Sequence, residues 1–130
     1  MVNEKRILEV LPAIVNGNDR LVWRGRHLAT VMLLQVGQRE YLFDIRQGGI
    51  ERIRLGSFPM PAWDFALRAE ENTWEQFWLA VPPPGFHDLF ALVKSRRLRI
   101  EGNLYPFMSN LLYFKDLLAS IRMGANGSKE

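Results

Sequence analysis

The hydrophobic repeat of this chain changes period near residue 70, and that change limits what the chain can fold into. Before it, apolar residues recur mainly at every second position, the period of a strand with one buried face. Residues 62–69 read as the clearest strand, with Trp63, Phe65, Leu67 and Ala69 opposite Ala62, Asp64, Ala66 and Arg68. Residues 39–46 alternate in the same way, Tyr41, Phe43 and Ile45 against Leu42, Asp44 and Arg46. Residues 28–36 are apolar on both faces. In the third strand Ile50, Arg52 and Arg54 oppose Glu51, Ile53 and Leu55. Gly37-Gln38 suits a two-residue turn with glycine first, and Gly48-Gly49 marks a second hairpin. Upstream, Ile7, Leu8, Leu11, Ile14 and Val15 predict a helix over residues 3–15 that ends or kinks at Pro12. Asn16-Gly17-Asn18-Asp19 stops it, and Leu21-Val22-Trp23 reads as a short strand.

After residue 70 the spacing is helical. Thr73-Trp74-Glu75-Gln76 fits a capping box, with Thr73 as the cap of a helix carrying Trp74, Phe77, Trp78 and Val81. Pro82-Pro83-Pro84-Gly85 ends it. Phe86 to Lys94 predicts a second helix, Leu98 to Gly102 a strand. Asn103 caps a last helix that runs to about Arg122, with Pro106 in its first turn. The stripe of that helix is Leu104, Phe107, Met108, Leu111, Phe114, Leu118 and Ile121. Strands grouped apart from helices predict an α+β fold: an antiparallel sheet of about five strands covered on one face by helices. The expected division is a helix and linker over 1–26, a domain over 27–122 and a flexible tail over 123–130.

Composition narrows the function more than it defines it. In 130 residues there is no cysteine, so disulfides, thiolate nucleophiles and cysteine metal sites are excluded. The longest apolar run, Leu28 to Leu34, falls far short of the ~20 residues that cross a bilayer. Asn3-Glu4-Lys5-Arg6 and Glu9 do not suit a secretory leader, so a cytoplasmic location is expected. His27 and His87 have no ligand partner at helical spacing, Ser57 lies in no nucleophile elbow, and Gly48-Gly49 is no phosphate loop. Glu70, Glu71 and Glu75 suit a helix N-terminus better than a carboxylate pair. No catalytic residue, metal site or cofactor is therefore expected. Lys94, Arg96, Arg97 and Arg99 form a basic run. A solvated surface is the plain reading, contact with an anionic membrane surface or acidic protein the sharper one, and nucleic acid is not expected. The aromatic content is high: eight Phe, four Trp and three Tyr. Trp74, Phe77, Trp78, Phe86, Phe90, Phe107, Met108 and Phe114 suit either an ordinary core or the wall of an apolar cavity.

The order of elements, the strand Asp64 to Ala69 leading to Thr73, and Leu98-Arg99-Ile100-Glu101-Gly102-Asn103 opening an apolar helix resemble the sterol carrier protein type-2 domain. The resemblance covers roughly residues 27–121 and is strongest over 62–121. It implies an apolar tunnel between sheet and helices that binds a fatty acyl, sterol-like or isoprenoid lipid without catalysis. Some bacterial members are accessory factors of ubiquinone biosynthesis, which Arg96-Arg97-Leu98-Arg99-Ile100-Glu101-Gly102 also resembles. By this resemblance the ligand-binding residues are Phe65, Leu67, Phe77, Trp78, Phe86, Phe90, Val93, Phe107, Met108, Leu111, Phe114 and Leu118. The alternative is an accessory or scaffold protein whose tunnel is filled and which acts through protein contacts, a second copy of the chain included. Asn103 stands where the family often has Asp, Pro82-Pro83-Pro84 stiffens the link between the short helices, and residues 1–26 have no counterpart.

Overall fold

The computed structural model describes residues 4–58 and 62–122, and the expected tail over 123–130 lies outside them. Five strands form one sheet in the order β3-β2-β1-β4-β5: β1 (Ala29–Val36), β2 (Arg39–Arg46), β3 (Gly49–Gly56), β4 (Phe65–Ala69) and β5 (Leu98–Gly102). Six helices accompany it: α1 (Leu11–Asn16), α2 (Asp19–Arg24), α3 (Glu71–Phe77), α4 (Leu89–Lys94), α5 (Tyr105–Ser109) and α6 (Leu111–Ala119). The α+β class stands. The all-antiparallel expectation does not, because β4 runs parallel to β1, with Met32 opposite Phe65 and Val36 opposite Ala69. From the sheet edge at β3 the chain crosses past two strands before it pairs again.

Local chemistry sets several boundaries. Gly37 (φ 66) opens the first hairpin turn as expected, whereas the second is Gln47-Gly48, with both residues at positive φ. A β-carbon on Gly48 would collide with the Val22 carbonyl, so glycine is required where α2 closes on this turn. The segment Leu21-Val22-Trp23 is helical, not a strand: the Asn18 side chain accepts from Leu21 N–H at 3.2 Å and caps α2. Pro12 sits in the first turn of α1. Lacking an N–H, it cannot donate into the turn before it, and the chain ahead of it widens into a π-type turn, Arg6–Val10, where Leu11 N–H reaches the Arg6 carbonyl. The predicted 3–15 helix is thus two helical pieces. The last helix also breaks, at Asn110, whose amide donates to the Pro106 carbonyl at 3.0 Å and competes with helical bonding. Asn103 stands one residue short of the expected cap: Leu104 takes that position, and the Asn103 side chain accepts from Tyr105 N–H at 3.2 Å from just outside the helix. Thr73 does not cap either: α3 starts at Glu71, and Thr73 is buried within it.

The sheet has two apolar sides. On one, Met32, Leu34, Tyr41, Phe43, Phe65 and Leu67 join the buried residues of all six helices in the main core, Ile7, Leu11, Val15 and Leu21 of the N-terminal segment included. On the other, Leu33, Leu42, Trp63 and Ala66 make a smaller cluster with Val31 and Phe58. Alternation predicts Trp63 on the same side as Phe65. It lies on the opposite side because regular pairing begins only at Phe65, and its indole N–H donates to the Phe58 carbonyl at 2.7 Å. A bulge explains a second departure. Ile45 pairs with Ile50 while Asp44 pairs with Arg52, so Glu51 is an extra residue. Ile50 and Ile53 therefore both turn to the main core, and Arg52 and Arg54 both reach Asp44 on the other side.

The Asn16 side chain donates to the Ile50 carbonyl at 3.0 Å and accepts from the Ile50 N–H at 2.8 Å, tying α1 to β3. Asn16→Ala leaves both backbone groups without this partner. An unfolding free energy lower by roughly 1–3 kcal/mol is expected, measured by urea titration.

Candidate functional site

The helix-facing side of β4 is where the aromatic side chains converge. Phe65 lies 5.6 Å from Phe107 and 5.2 Å from Phe114, ring centre to ring centre. Phe107 and Phe114 are 5.7 Å apart, and Phe90 approaches Phe107 at 6.5 Å. A second group lies on α3 and its end, where Trp74 stacks on Trp78 at 5.1 Å and meets Phe77 edge-on at 5.7 Å. These separations are those of rings in contact. Directional bonds fix the larger rings: Trp74 Nε1–H donates to the Gln35 carbonyl, Trp78 Nε1–H to the Leu118 carbonyl, and Tyr113 O–H to the Gly48 carbonyl. Burial pushes the Tyr113 hydroxyl well above the usual tyrosine range, so it stays a donor.

Of the twelve side chains expected to line a ligand, Phe65, Leu67, Phe77, Trp78, Phe107, Phe114 and Leu118 are buried in the main core. Phe86, Phe90 and Leu111 are half-buried against it. Val93 (37% exposed) and Met108 (50% exposed) face solvent. Met108, Leu104 and Leu112 all stand exposed on the α5–α6 segment. Trp74 and Tyr113, fully buried in the same assembly, are not among the expected residues. Trp74 is visible in the helical stripe, but no spacing rule singles out Tyr113.

Cations ring the rim, and of these only Arg97 belongs to the basic run marked in the sequence. The Arg122 guanidinium lies over Phe77 at 4.6 Å and donates to the Phe77 and His87 carbonyls, each at 2.8 Å. The Lys115 ammonium lies over Phe90 at 4.9 Å and pairs with Asp88 at 2.9 Å. Arg97 lies over Phe86 at 4.7 Å. Asp88 also caps α4 by accepting from Phe90 N–H at 3.2 Å. Burial raises the Asp88 carboxyl, but the Lys115 ammonium and the Phe90 and Ala91 N–H groups outweigh it and hold the carboxyl below its ordinary value of 3.8. Together these contacts fasten the proline-rich connector after α3 to the end of α6.

The expected basic residues divide. Lys94, Arg96, Arg97 and Arg99 are all exposed, and Arg96, Arg97 and Arg99 border an open cleft of about 620 Å³ between the start of α3 and the end of α4. Its lining is mainly polar. A second open cleft, of about 410 Å³, lies over β1–β3 and includes Asp44, Arg52 and Asp64. Among the described residues no group of three His, Asp or Glu is placed to hold a metal ion, and no helix is long and apolar enough to cross a membrane. His27 and His87 are both exposed.

Solved structures share this arrangement over nearly the whole chain. Sterol carrier protein 2 aligns with a TM-score of 0.71 at 13% identity, covering 90% of this chain and 94% of that one. The chain has the sterol carrier protein 2 fold. A conserved hypothetical protein of Thermus thermophilus, suggested to be a sterol carrier protein, aligns with this fold at a TM-score of 0.63 and 12% identity, covering 91% and 90%. UbiJ-SCP2, described as a ubiquinone synthesis protein, aligns at 0.57 and 14%, covering 88% and 91%. No family model matches the chain, and no curated protein matches it by sequence.

Two outcomes are expected from this geometry. Phe107→Ala should cost roughly 3–5 kcal/mol of unfolding free energy, and Met108→Ala within about 0.5 kcal/mol of none, by chemical denaturation. Because the folded Asp88 carboxyl titrates below its ordinary 3.8, its contribution to stability is full above that pH and is lost as pH falls through the depressed value. Asp88→Asn should therefore show a shallower loss of stability between about pH 5 and about pH 2 than the unaltered protein.

Proposed function

We propose that this protein binds the hydrocarbon chain of a lipid, without catalysis, between the helix-facing side of its sheet and the rings of α3 to α6. The observation that carries this reading is the convergence of large rings from four short helices on one side of β4, within the sterol carrier protein 2 fold. None of those helices exceeds nine residues. Helices so short owe their stability to packing, not to their own hydrogen bonds, so an apolar chain can replace one set of packing contacts with another. Each buried CH₂ is worth about 0.8 kcal/mol. A long acyl or isoprenoid chain thus gains enough to offset the cost of parting the rings. Of the twelve side chains named above, the ten that are buried in or half-buried against the main core are the proposed wall, with the half-buried Phe86, Phe90 and Leu111 nearest its mouth and the exposed, flexible Met108 beside it. A cytoplasmic location belongs to the same reading.

A second reading rests on a different observation. Phe65, Phe107 and Phe114 are fully buried and already in mutual contact. An interior filled by its own rings suits an accessory protein that works through protein contacts, as the likeness to UbiJ-SCP2 suggests for isoprenoid quinone synthesis.

Native mass spectrometry of gently purified protein separates the two. A co-purified lipid, or uptake of a fatty acid or a quinone analogue, is expected. A uniformly empty spectrum with no uptake would leave the second reading in place. His87→Ala is expected to leave lipid retention unchanged, since no role in binding is assigned to that side chain.

A further inference from the structure

We propose that the cleft between the start of α3 and the end of α4 binds a phosphate group through Arg96 and Arg97. The cleft lies where the parallel strands β1 and β4 both end, with Ala69 and Leu98 in its lining and Thr73 on the α3 side. Four guanidiniums border it, but they are not equivalent. Arg68 pairs with Glu101 at 2.8 Å and with Glu40 at 3.3 Å, and Arg99 pairs with Glu101 at 2.6 Å. Arg96 has no ion pair or side-chain hydrogen bond among the described residues. Arg97 has no carboxylate partner among them either, and its guanidinium is steadied over the Phe86 ring at 4.7 Å. The lining's one carboxylate, Glu70, is likewise without an ion-pair partner among the described residues.

The backbone adds an independent argument. Arg96 N–H bonds to the Val93 carbonyl at 3.0 Å and Arg97 N–H to the Leu92 carbonyl at 2.9 Å. This is the Schellman ending of a helix, and its left-handed residue is ordinarily glycine. Here that residue is Arg96, at φ 64. A β-carbon is disfavoured in that conformation. Arg96 is also exposed, so burial does not repay it. The fold would be served better by glycine. The arginine adds a guanidinium with no ion pair among the described residues to the same cleft lining as Arg97. Two planar forks lining one cleft suit a phosphate dianion, which offers acceptors on several sides, better than they suit a single carboxylate. The proposal does not depend on a lipid in the aromatic interior.

The test is isothermal titration of the full chain with inorganic pyrophosphate at low salt, paired with co-sedimentation on phosphatidylcholine vesicles with and without phosphatidic acid. Binding to pyrophosphate alone assigns the phosphate to a soluble compound. Binding only to vesicles that carry phosphatidic acid assigns it to a lipid headgroup. In either case Arg96→Gly should weaken binding about tenfold, the loss of one charge-assisted contact, while the thermal midpoint holds or rises. Arg97→Gln should weaken it similarly, and Glu70→Gln should tighten it. Failure of the unaltered protein to bind either probe overturns the proposal. So does a tight interaction that Arg96→Gly and Arg97→Gln leave unchanged.

Discussion

Among the described residues no helix is long enough to stand alone. The longest, α6, has nine residues, and α5 has five. Isolated helices shorter than ~12–15 residues are marginal in water, so each of these exists because it lies against the sheet. The apolar side of β1, β2 and β4 is therefore the support on which the rest forms. Phe65, at the start of β4, touches rings from α5 and α6 and thereby holds together pieces separated by some forty residues. One consequence concerns measurement. The side chains proposed to meet a ligand are the same ones that stabilise the empty protein, so binding and stability respond to the same substitutions.

Packing alone leaves such short pieces free to slide. Directional bonds remove that freedom. Each of three tryptophans sends its indole N–H to a backbone carbonyl, on a neighbouring loop, on β1 or on α6. Tyr113 does the same to the β2–β3 turn. Large apolar rings with one polar atom can be buried deeply and still be oriented, which aliphatic side chains cannot offer. The aromatic richness of the sequence is thus partly a requirement of a fold built from fragments.

Much of the architecture was legible in the order of residues. The alternation in β2, the two-sided burial of β1 and the turn that opens at Gly37 follow from short-range physics and are found. What escaped was long-range or depended on one residue. The parallel partnership of β4 with β1 has no local signature. The bulge at Glu51 shifts the parity of β3 after Ile50, so a strict two-residue period put Ile50 and Ile53 on opposite sides. Trp63 looked continuous with Phe65 because alternation cannot show where pairing begins. Leu21-Val22-Trp23 has strand-like composition, yet the Asn18 cap and packing on the Gly48 turn make it a helix. At the site, the helical stripes pointed to the rings that converge. The stripes could not show that Met108 and Val93 face outward, because α4 buries Leu89 and Leu92 and α5 buries Phe107, and each helix is too short to bury a second face. Arg122, Lys115 and Asp88 were invisible for a simpler reason: a rim cation has no periodicity, and neither does the acid that pairs with it.

The tie between Asn16 and β3 also bears on the company this sheet can keep. At Ile50 the outward-facing peptide group of the edge strand is already engaged by a side-chain amide, which takes the place that a neighbouring strand's backbone would occupy. The bulge beside it bends the same stretch away from a flat template. An edge treated in this way resists the edge-to-edge growth that leads β-rich chains into aggregates. A substitution at Asn16 would therefore lower solubility as well as stability, and both losses trace to the same backbone groups of Ile50: stability through their lost hydrogen bonds, solubility through an edge left open to another strand.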